Sequence, residues 1–212
     1  MIKVLVAENK APFVRAQLDF LSYCLPSPAM DKAKKYRRWQ DAQAFLWGRY
    51  LLMEGLKSYG FEKHSLLDIN YTKYNRPYLP IPLDFNISHS GDYILCAFSD
   101  HNLGIDIEAI KPIEINDFTN CFTADELLKI NNAPEKYIEF FKYWTIKESV
   151  IKADGKGLSI PLETIVISDE IVIEENTWFI HKIDIDPGYQ SHLATNVPGQ
   201  NISIERVSLP VK

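Results

Sequence analysis

Gly104-Ile105-Asp106-Ile107-Glu108 is the stretch from which the fold is predicted. Polar and apolar side chains alternate along it, and alternate side chains of a β-strand share one face of the sheet. Ile105 and Ile107 are expected to face a core, which puts Asp106 and Glu108 together on the opposite face. The stretch therefore predicts a strand near the middle of the chain.

Helices and strands are predicted on both sides of this strand. Toward the amino terminus, the predicted elements are a strand at 3–7, a helix at 15–24, a long basic helix at 31–59, and strands at 66–71, 85–88 and 93–99. Toward the carboxyl terminus, they are two helices before residue 155 and strands at 164–168, 171–173, 178–185, 192–196 and 202–207. This order predicts an α+β fold of two halves, residues 1–103 and 104–212.

Composition narrows the class of protein. The 212 residues are 46% hydrophobic and 24% charged, which is typical of a globular protein of one large or two small domains. The net charge of -5 argues against a protein that coats nucleic acid. Apolar runs stay well short of the ~20 residues of a membrane span, and the first one is too short for a signal peptide. Three widely spaced cysteines without a CxxC motif predict a reduced, cytoplasmic protein.

The paired carboxylates of Asp106 and Glu108 suggest a cation site. Two carboxylates on one strand face repel each other unless a positive charge lies between them, and oxygen ligands suit a divalent cation. The alternative is a half-buried strand with a solvated acidic face, which is common in antiparallel sheets.

A second group of polar residues lies on the predicted helix that contains Trp144–Lys152. Phe141, Thr145, Glu148 and Lys152 share one side of that helix. Glu148 extends an apolar stripe, where a carboxylate is costly unless it is paired. It is either half of an ion pair with Lys152 or a third carboxylate in the cation site.

Three further features suggest anion binding. His89 follows a strand in Asn86-Ile87-Ser88-His89-Ser90, so it can bind phosphate, act as an acid or base, or simply form hydrogen bonds within a turn. Arg76, held by the following Pro77, can bind an anion or be solvated. Residues 32–38 hold five Lys and Arg residues in an acidic protein, although such clusters are usually solvated helix faces.

In this order the motifs resemble the 4′-phosphopantetheinyl transferase family, of the surfactin-synthetase-activating type. The family pattern has Gly-(Ile/Val)-Asp-x-Glu on a strand, matched by Gly104–Glu108. Some forty residues later, (Trp/Phe)-(Ser/Thr/Cys)-x-Lys-Glu-(Ala/Ser)-x-x-Lys on a helix is matched by Trp144–Lys152. The upstream Asn-x-Ser-His-Ser element is matched by Asn86–Ser90, so the resemblance covers most of the chain. The signatures of P-loop, Rossmann and α/β-hydrolase proteins do not occur.

The resemblance implies a reaction and roles for individual residues. Coenzyme A donates its phosphopantetheine arm to a serine of an apo acyl or peptidyl carrier protein, and adenosine 3′,5′-bisphosphate is released. Asp106, Glu108 and Glu148 would hold Mg²⁺, Glu148 would act as the base directly or through water, and Lys152 would steady the leaving phosphate. The residues implied to contact coenzyme A are Lys32, Lys35, Arg76, Ser88, His89 and Lys152.

The resemblance also implies the architecture and the partners. The family fold consists of two similar α/β halves in one chain, with coenzyme A in the cleft between them. A cytoplasmic monomer is expected, without nucleic-acid or membrane partners. Two other hypotheses remain open: a Mg²⁺-dependent phosphodiesterase that uses the same carboxylates, and a non-catalytic binding module that kept the fold.

The chain departs from the family pattern at two positions that are implied to bind coenzyme A. Asn75-Arg76-Pro77 stands where the family has Gly-Lys-Pro, which keeps the charge but changes the backbone. In the long helix, Ala44 stands where the family commonly has an arginine, so Gln43 or Arg49 is the candidate substitute.

Overall fold

The computed structural model describes residues 1–61 and 63–210. Its helices are α1 (Arg15–Cys24), α2 (Ser27–Ala33), α3 (Trp39–Ser58), α4 (Ala124–Asn132) and α5 (Lys136–Asp154). Its strands are β1 (Ile2–Glu8), β2 (Asn70–Tyr71), β3 (Pro77–Tyr78), β4 (Asp84–Ser90), β5 (Tyr93–Ser99), β6 (Leu103–Ala109), β7 (Ile171–Ile173), β8 (Asn176–Lys182), β9 (Tyr189–Thr195) and β10 (Ile202–Arg206). Within these residues, no helix combines the length and apolar character that a membrane crossing requires.

The chain divides into two compact units. Unit 1 comprises residues 1–71, 77–100 and 201–212, and unit 2 comprises residues 72–76 and 101–200. The mixed α+β character that the sequence predicts is therefore confirmed. The units depart from the predicted halves 1–103 and 104–212, because β10 belongs to unit 1 and the short segment 72–76 belongs to unit 2.

Unit 1 is a four-stranded sheet with α3 packed on it. The strand order is β10-β1-β5-β4, with β10 parallel to β1 and the other pairs antiparallel. All seven residues of β5 are buried, as expected for a central strand whose two faces are both covered. The buried side of α3 supplies much of the core, from Leu46 to Leu56.

Unit 2 is a second four-stranded sheet, of order β6-β9-β8-β7, with α5 packed across β6 and β9. The sequence Thr123-Ala-Asp-Glu126 has the pattern of a capping box, which the structure confirms at the start of α4: the Thr123 hydroxyl accepts from the Glu126 amide at 3.2 Å, and the Glu126 carboxylate accepts from the Thr123 amide at 2.9 Å. Helix α5 ends at Gly155, whose φ of 86° is the left-handed conformation of a C-cap.

The predicted long helix at 31–59 is wrong. The chain forms α2, turns through residues 34–38, and begins α3 at Trp39. Five Lys and Arg residues lie within 32–38, and like charges three or four residues apart destabilise a helix. The break therefore falls where continued helix would stack those charges.

Two predicted strands are also wrong. Residues 63–68 form a 3₁₀ helix, and strand structure is confined to Asn70–Tyr71. At 164–168, Ile165 is buried and Val166 is 64% exposed, but the segment follows a 3₁₀ turn and lies outside the sheets. Buried and exposed side chains alternate along this irregular segment. A β-strand would also need a neighbouring strand to pair with, and the segment has none in the sheets described.

Candidate active site

The face of β6 that carries Asp106 lies directly under α5. A Cβ on Gly104 would lie 2.2 Å from the Ser149 carbonyl oxygen and 2.4 Å from the Ala153 nitrogen, so only glycine allows this approach. Asp106 is 3% exposed. The alternative of a solvated acidic face is therefore wrong for Asp106, because the helix covers it.

Asp106 and Lys152 form an ion pair between strand and helix. The Lys152 ammonium donates to Oδ1 of Asp106 at 2.5 Å and lies 3.4 Å from the Ile105 carbonyl oxygen. The Ser191 hydroxyl of β9 donates to the Asp106 carbonyl oxygen at 2.7 Å, which fixes the strand beneath the pair. The contact joins two motifs that lie 46 residues apart in the sequence.

Glu148 is half-buried one turn before Lys152. Burial raises the pKa of its carboxyl group above the ordinary value, and the Lys152 ammonium lowers that pKa. The carboxylates of Asp106 and Glu108 raise the pKa further. Glu148 therefore interacts electrostatically with both strand carboxylates.

Thr145 and His192 attach α5 to β9 beside this cluster. The Thr145 hydroxyl donates to the Phe141 carbonyl oxygen at 2.7 Å and lies 2.7 Å from Nδ1 of His192. Since the hydroxyl has one proton, Nδ1 then carries hydrogen and donates to Thr145. His192 is the cross-strand neighbour of Asp106. Burial, aided by the nearby Lys182 and Lys142 ammonium groups, lowers its pKa to about 4.

Lys147, inside the helix motif, has a structural role. Its fully buried ammonium donates to the Glu126 carboxylate at 2.7 Å, to the Leu162 carbonyl at 2.9 Å and to the Cys121 carbonyl at 3.2 Å. All three ammonium protons are thus satisfied, so a buried charge is tolerated here. The pair links α4 to the turn of α5 that carries Glu148.

Asp106, Glu108 and Glu148 fit Mg²⁺ by the chemistry of their oxygen donors. The three carboxylates also interact closely enough to raise the pKa of Glu148. Across residues 1–61 and 63–210, however, no three His, Cys, Asp or Glu side chains are gathered into a group that could hold a metal ion. The donors are thus neighbours without being preassembled as ligands.

Arg76 binds main-chain carbonyls in unit 2. Its Nη2 donates to the Leu103 carbonyl at 2.9 Å and its Nη1 to the Ala153 carbonyl at 3.3 Å. Asn75 has a φ of 64°, a left-handed conformation that asparagine tolerates and that explains a glycine at this position in the family pattern. These contacts favour a structural role for Arg76, and its predicted contact with coenzyme A stays a prediction.

A pocket of about 340 Å³ in unit 1 contains His89. Ile87 and His89 reach it from one face of β4, and Ser88 belongs to the opposite face because strand side chains alternate. Lys32 lies over the ring of Phe45, which lines the pocket, with Nζ 5.1 Å from the ring centroid. Lys35 is exposed in the turn after α2.

The roles of three residues near these groups were not predicted from the sequence, or were predicted only in part. His192 faces the site only through the pairing of β9 with β6, which no local pattern predicts. Glu126 was recognised as a capping residue, but its partner Lys147 lies 21 residues away. Arg49 was named only as an alternative, and it lines the same pocket as His89.

The chain was compared with known families and curated proteins. Residues 102–195 match the 4′-phosphopantetheinyl transferase superfamily, and residues 12–101 match the family described as 4′-phosphopantetheinyl transferase, N-terminal. The 4′-phosphopantetheinyl transferase Sfp of Bacillus subtilis strain 168 is 31% identical over 202 residues, which are 89% of each chain.

Relatives from two other organisms give the same result. The 4′-phosphopantetheinyl transferase gsp of Aneurinibacillus migulanus is 31% identical over 166 residues, 77% of this chain and 70% of the relative. The 4′-phosphopantetheinyl transferase HetI of Nostoc is 30% identical over 163 residues, 72% of this chain and 68% of the relative. With matches across both units, this chain belongs to the 4′-phosphopantetheinyl transferase family, of the Sfp type.

Proposed function

We propose that this transferase moves the phosphopantetheine arm of coenzyme A to a serine of an apo acyl or peptidyl carrier protein. The serine Oγ forms a bond to the phosphorus that carries pantetheine, and the bond from that phosphorus to the bridging pyrophosphate oxygen breaks. The products are the holo carrier and adenosine 3′,5′-bisphosphate. The observation that supports this most is the interaction of Glu148 with Asp106, Glu108 and Lys152 where α5 crosses β6.

Three carboxylates would provide the cation site. Asp106, Glu108 and Glu148 would hold Mg²⁺, which when bound neutralises charge on the pyrophosphate. Burial of Asp106 under α5 strengthens every electrostatic interaction of its carboxylate, because the local dielectric is lower than that of water.

Glu148 would accept the serine proton during the transfer, and Lys152 would stabilise the charge that develops. The raised pKa of Glu148 increases its basicity, which suits a base that takes the serine proton. The Lys152 ammonium, beside Asp106, would stabilise negative charge on the leaving phosphate.

The nucleotide end of coenzyme A would use the pocket of unit 1. His89 lines this pocket, and Lys32 lies on the ring of Phe45 in its wall. We propose that His89, Lys32 and Lys35 bind the 3′-phosphate end, and that Ser88 and Arg76 contribute to the same ligand. We expect the enzyme to act as a cytoplasmic monomer on free carrier domains, without nucleic acid or membrane.

The test separates transfer from hydrolysis. Coenzyme A and Mg²⁺ are incubated with the enzyme, with and without an apo carrier protein, and the nucleotide products are separated by chromatography. We expect adenosine 3′,5′-bisphosphate only when the apo carrier is present and Mg²⁺ has not been chelated. Release of the nucleotide without a carrier would instead identify a phosphodiesterase, and unchanged coenzyme A in both samples would identify a binding module.

A further inference from the structure

Arg49 is a half-buried cation on the wall of the His89 pocket. Its guanidinium carbon lies 5.2 Å from the centroid of the Phe45 ring, one helical turn earlier on α3. To the part of the chain that the structure describes, the guanidinium makes no hydrogen bond or ion pair. An arginine that has lost part of its hydration without gaining a partner is poised for an anionic ligand.

The surroundings of Arg49 suit a nucleotide. Lys32 contacts the same Phe45 ring, so two cations converge on one aromatic side chain. The Tyr36 and Phe45 rings are 5.8 Å apart, and both line the pocket. Asp41 is the acidic residue in the pocket wall, and Arg49 and His89 are the basic residues that line the same pocket. Flat aromatic faces beside cations are the features that bind a base together with its phosphate.

The pocket also decides between the two candidate substitutes for the family's arginine. Ala44 and Arg49 line the same pocket, so the charge that is missing at position 44 is present again at position 49. Gln43 is 5% exposed and lines a different groove, with Trp39 and Leu46. Its amide therefore lies on another side of α3.

We infer that Arg49 binds a phosphate group of coenzyme A and replaces the arginine that relatives have near position 44. This inference rests on the proposed function, since it assumes that the pocket takes the nucleotide of coenzyme A. The group that Arg49 binds is a phosphate, which is either the 3′-phosphate or the pyrophosphate of coenzyme A.

The test is calorimetric titration of the enzyme with coenzyme A and with dephospho-coenzyme A, which lacks the 3′-phosphate. The variants are Arg49→Gln, Arg49→Lys, and the control Arg15→Gln, an exposed arginine of α1 paired with Asp19. We expect Arg49→Gln to raise the Kd for coenzyme A by about tenfold or more, as for loss of a charge-assisted hydrogen bond. Arg49→Lys should recover part of this loss, and Arg15→Gln should bind as the wild type does.

Comparison of the two affinities shows which phosphate group Arg49 contacts. A larger loss for coenzyme A than for dephospho-coenzyme A assigns Arg49 to the 3′-phosphate, and equal losses assign it to the pyrophosphate. Unchanged affinity of Arg49→Gln for both ligands would overturn the inference, while transfer by the wild type would still support the proposed function. If the wild type binds coenzyme A through Arg49 but transfers nothing, the proposed function fails and the binding site remains.

Discussion

At the scale of single residues, the proposed chemistry depends on the ionic contacts of α5 with β6. Lys152 neutralises a buried aspartate, and Glu148 lies in the field of two carboxylates and one ammonium. A cation that binds here competes with Lys152 for Asp106. The ammonium is therefore expected to turn from Asp106 toward phosphate as ligands bind, which would give one lysine two successive partners.

The variant Glu148→Gln distinguishes the proposed role of Glu148 as a general base from its proposed role as a Mg²⁺ ligand. The variant keeps the size and most hydrogen bonding but loses charge and basicity, so Mg²⁺ binding should weaken. At saturating Mg²⁺ and coenzyme A, turnover should still fall by about 10²–10⁴-fold, the typical contribution of a general base. Calorimetry should show that coenzyme A still binds. Recovery of full turnover at high Mg²⁺ would mean that Glu148 is a ligand and that another group takes the proton.

Individual site residues were predictable to different degrees. Asp106 and Glu148 follow from motifs that were recognisable as local patterns of spacing and polarity. The partner of Lys152 was not predictable, because an intrahelical pair with Glu148 and a contact with Asp106 are equally compatible with the sequence. Arg76 has the predicted charge, yet its donors bind carbonyls that only the folded chain brings near.

At the scale of elements, the packing of α5 on the sheet of unit 2 sets the spacing of the site. Gly104 allows the helix backbone to touch β6, and the Thr145–His192 contact attaches the helix to β9. Lys147 and Glu126 attach its far side to α4. A rigid helix held on three sides keeps Glu148 and Lys152 at fixed positions relative to Asp106.

Gly104→Ala should push α5 away from β6. The added Cβ would meet main-chain atoms of Ser149 and Ala153, which cannot rotate away, so the free energy of unfolding should fall by about 1–3 kcal/mol. Transfer should fall as well, because Lys152 moves away from Asp106. Urea unfolding measures the first effect, with Gly188→Ala as control, since there the nearest atom is a side-chain oxygen at 3.2 Å. Equal stability of Gly104→Ala and the wild type would refute the close approach.

His192 should make stability depend on pH. Its pKa is about 4 in the folded protein, below the ordinary histidine value of 6.5, because burial disfavours the imidazolium. Between these values the unfolded chain binds a proton that the folded protein does not. The free energy of unfolding contributed by His192 should therefore decrease as the pH falls from about 6.5 to 4, by about 3 kcal/mol in total.

Urea unfolding at several pH values, in the presence of a chelator, measures this dependence. The difference between the wild type and His192→Gln isolates the histidine from the carboxylates that titrate in the same range. His101→Gln, which changes an exposed histidine, serves as the control. Parallel profiles for the wild type and His192→Gln would show that His192 does not stay neutral in the fold.

The elements with strong local signals were predictable. β5 follows from a continuous apolar run, β6 from alternation and α4 from a capping box. The break between α2 and α3 was not predictable from periodicity, because apolar residues keep their helical spacing across it, whereas the break depends on repulsion among the Lys and Arg residues of 32–38. The irregular segment at 164–168 was missed because a buried residue beside an exposed one imitates a strand.

At the scale of the whole molecule, the two units are not consecutive in the sequence. β10 pairs in parallel with β1, from Ile2 with Ile202 to Val6 with Arg206, so the last strand completes the sheet of unit 1. A boundary near residue 103 was predictable from the change of motifs. The return of β10 was not, because pairing across 200 residues leaves no local pattern. Both units are matched by the family, so the assigned function belongs to the chain as a whole.

We propose that this chain attaches phosphopantetheine to carrier proteins through Asp106 and its neighbours. The most direct measurement is the intact mass of apo fatty-acid, polyketide and peptide-synthetase carriers after incubation with enzyme, coenzyme A and Mg²⁺. We expect at least one carrier to gain the mass of one phosphopantetheine arm on its serine. This gain should disappear with a chelator and with Asp106→Asn. Unchanged mass of every carrier with the folded wild-type enzyme, or full modification by Asp106→Asn, would contradict the account.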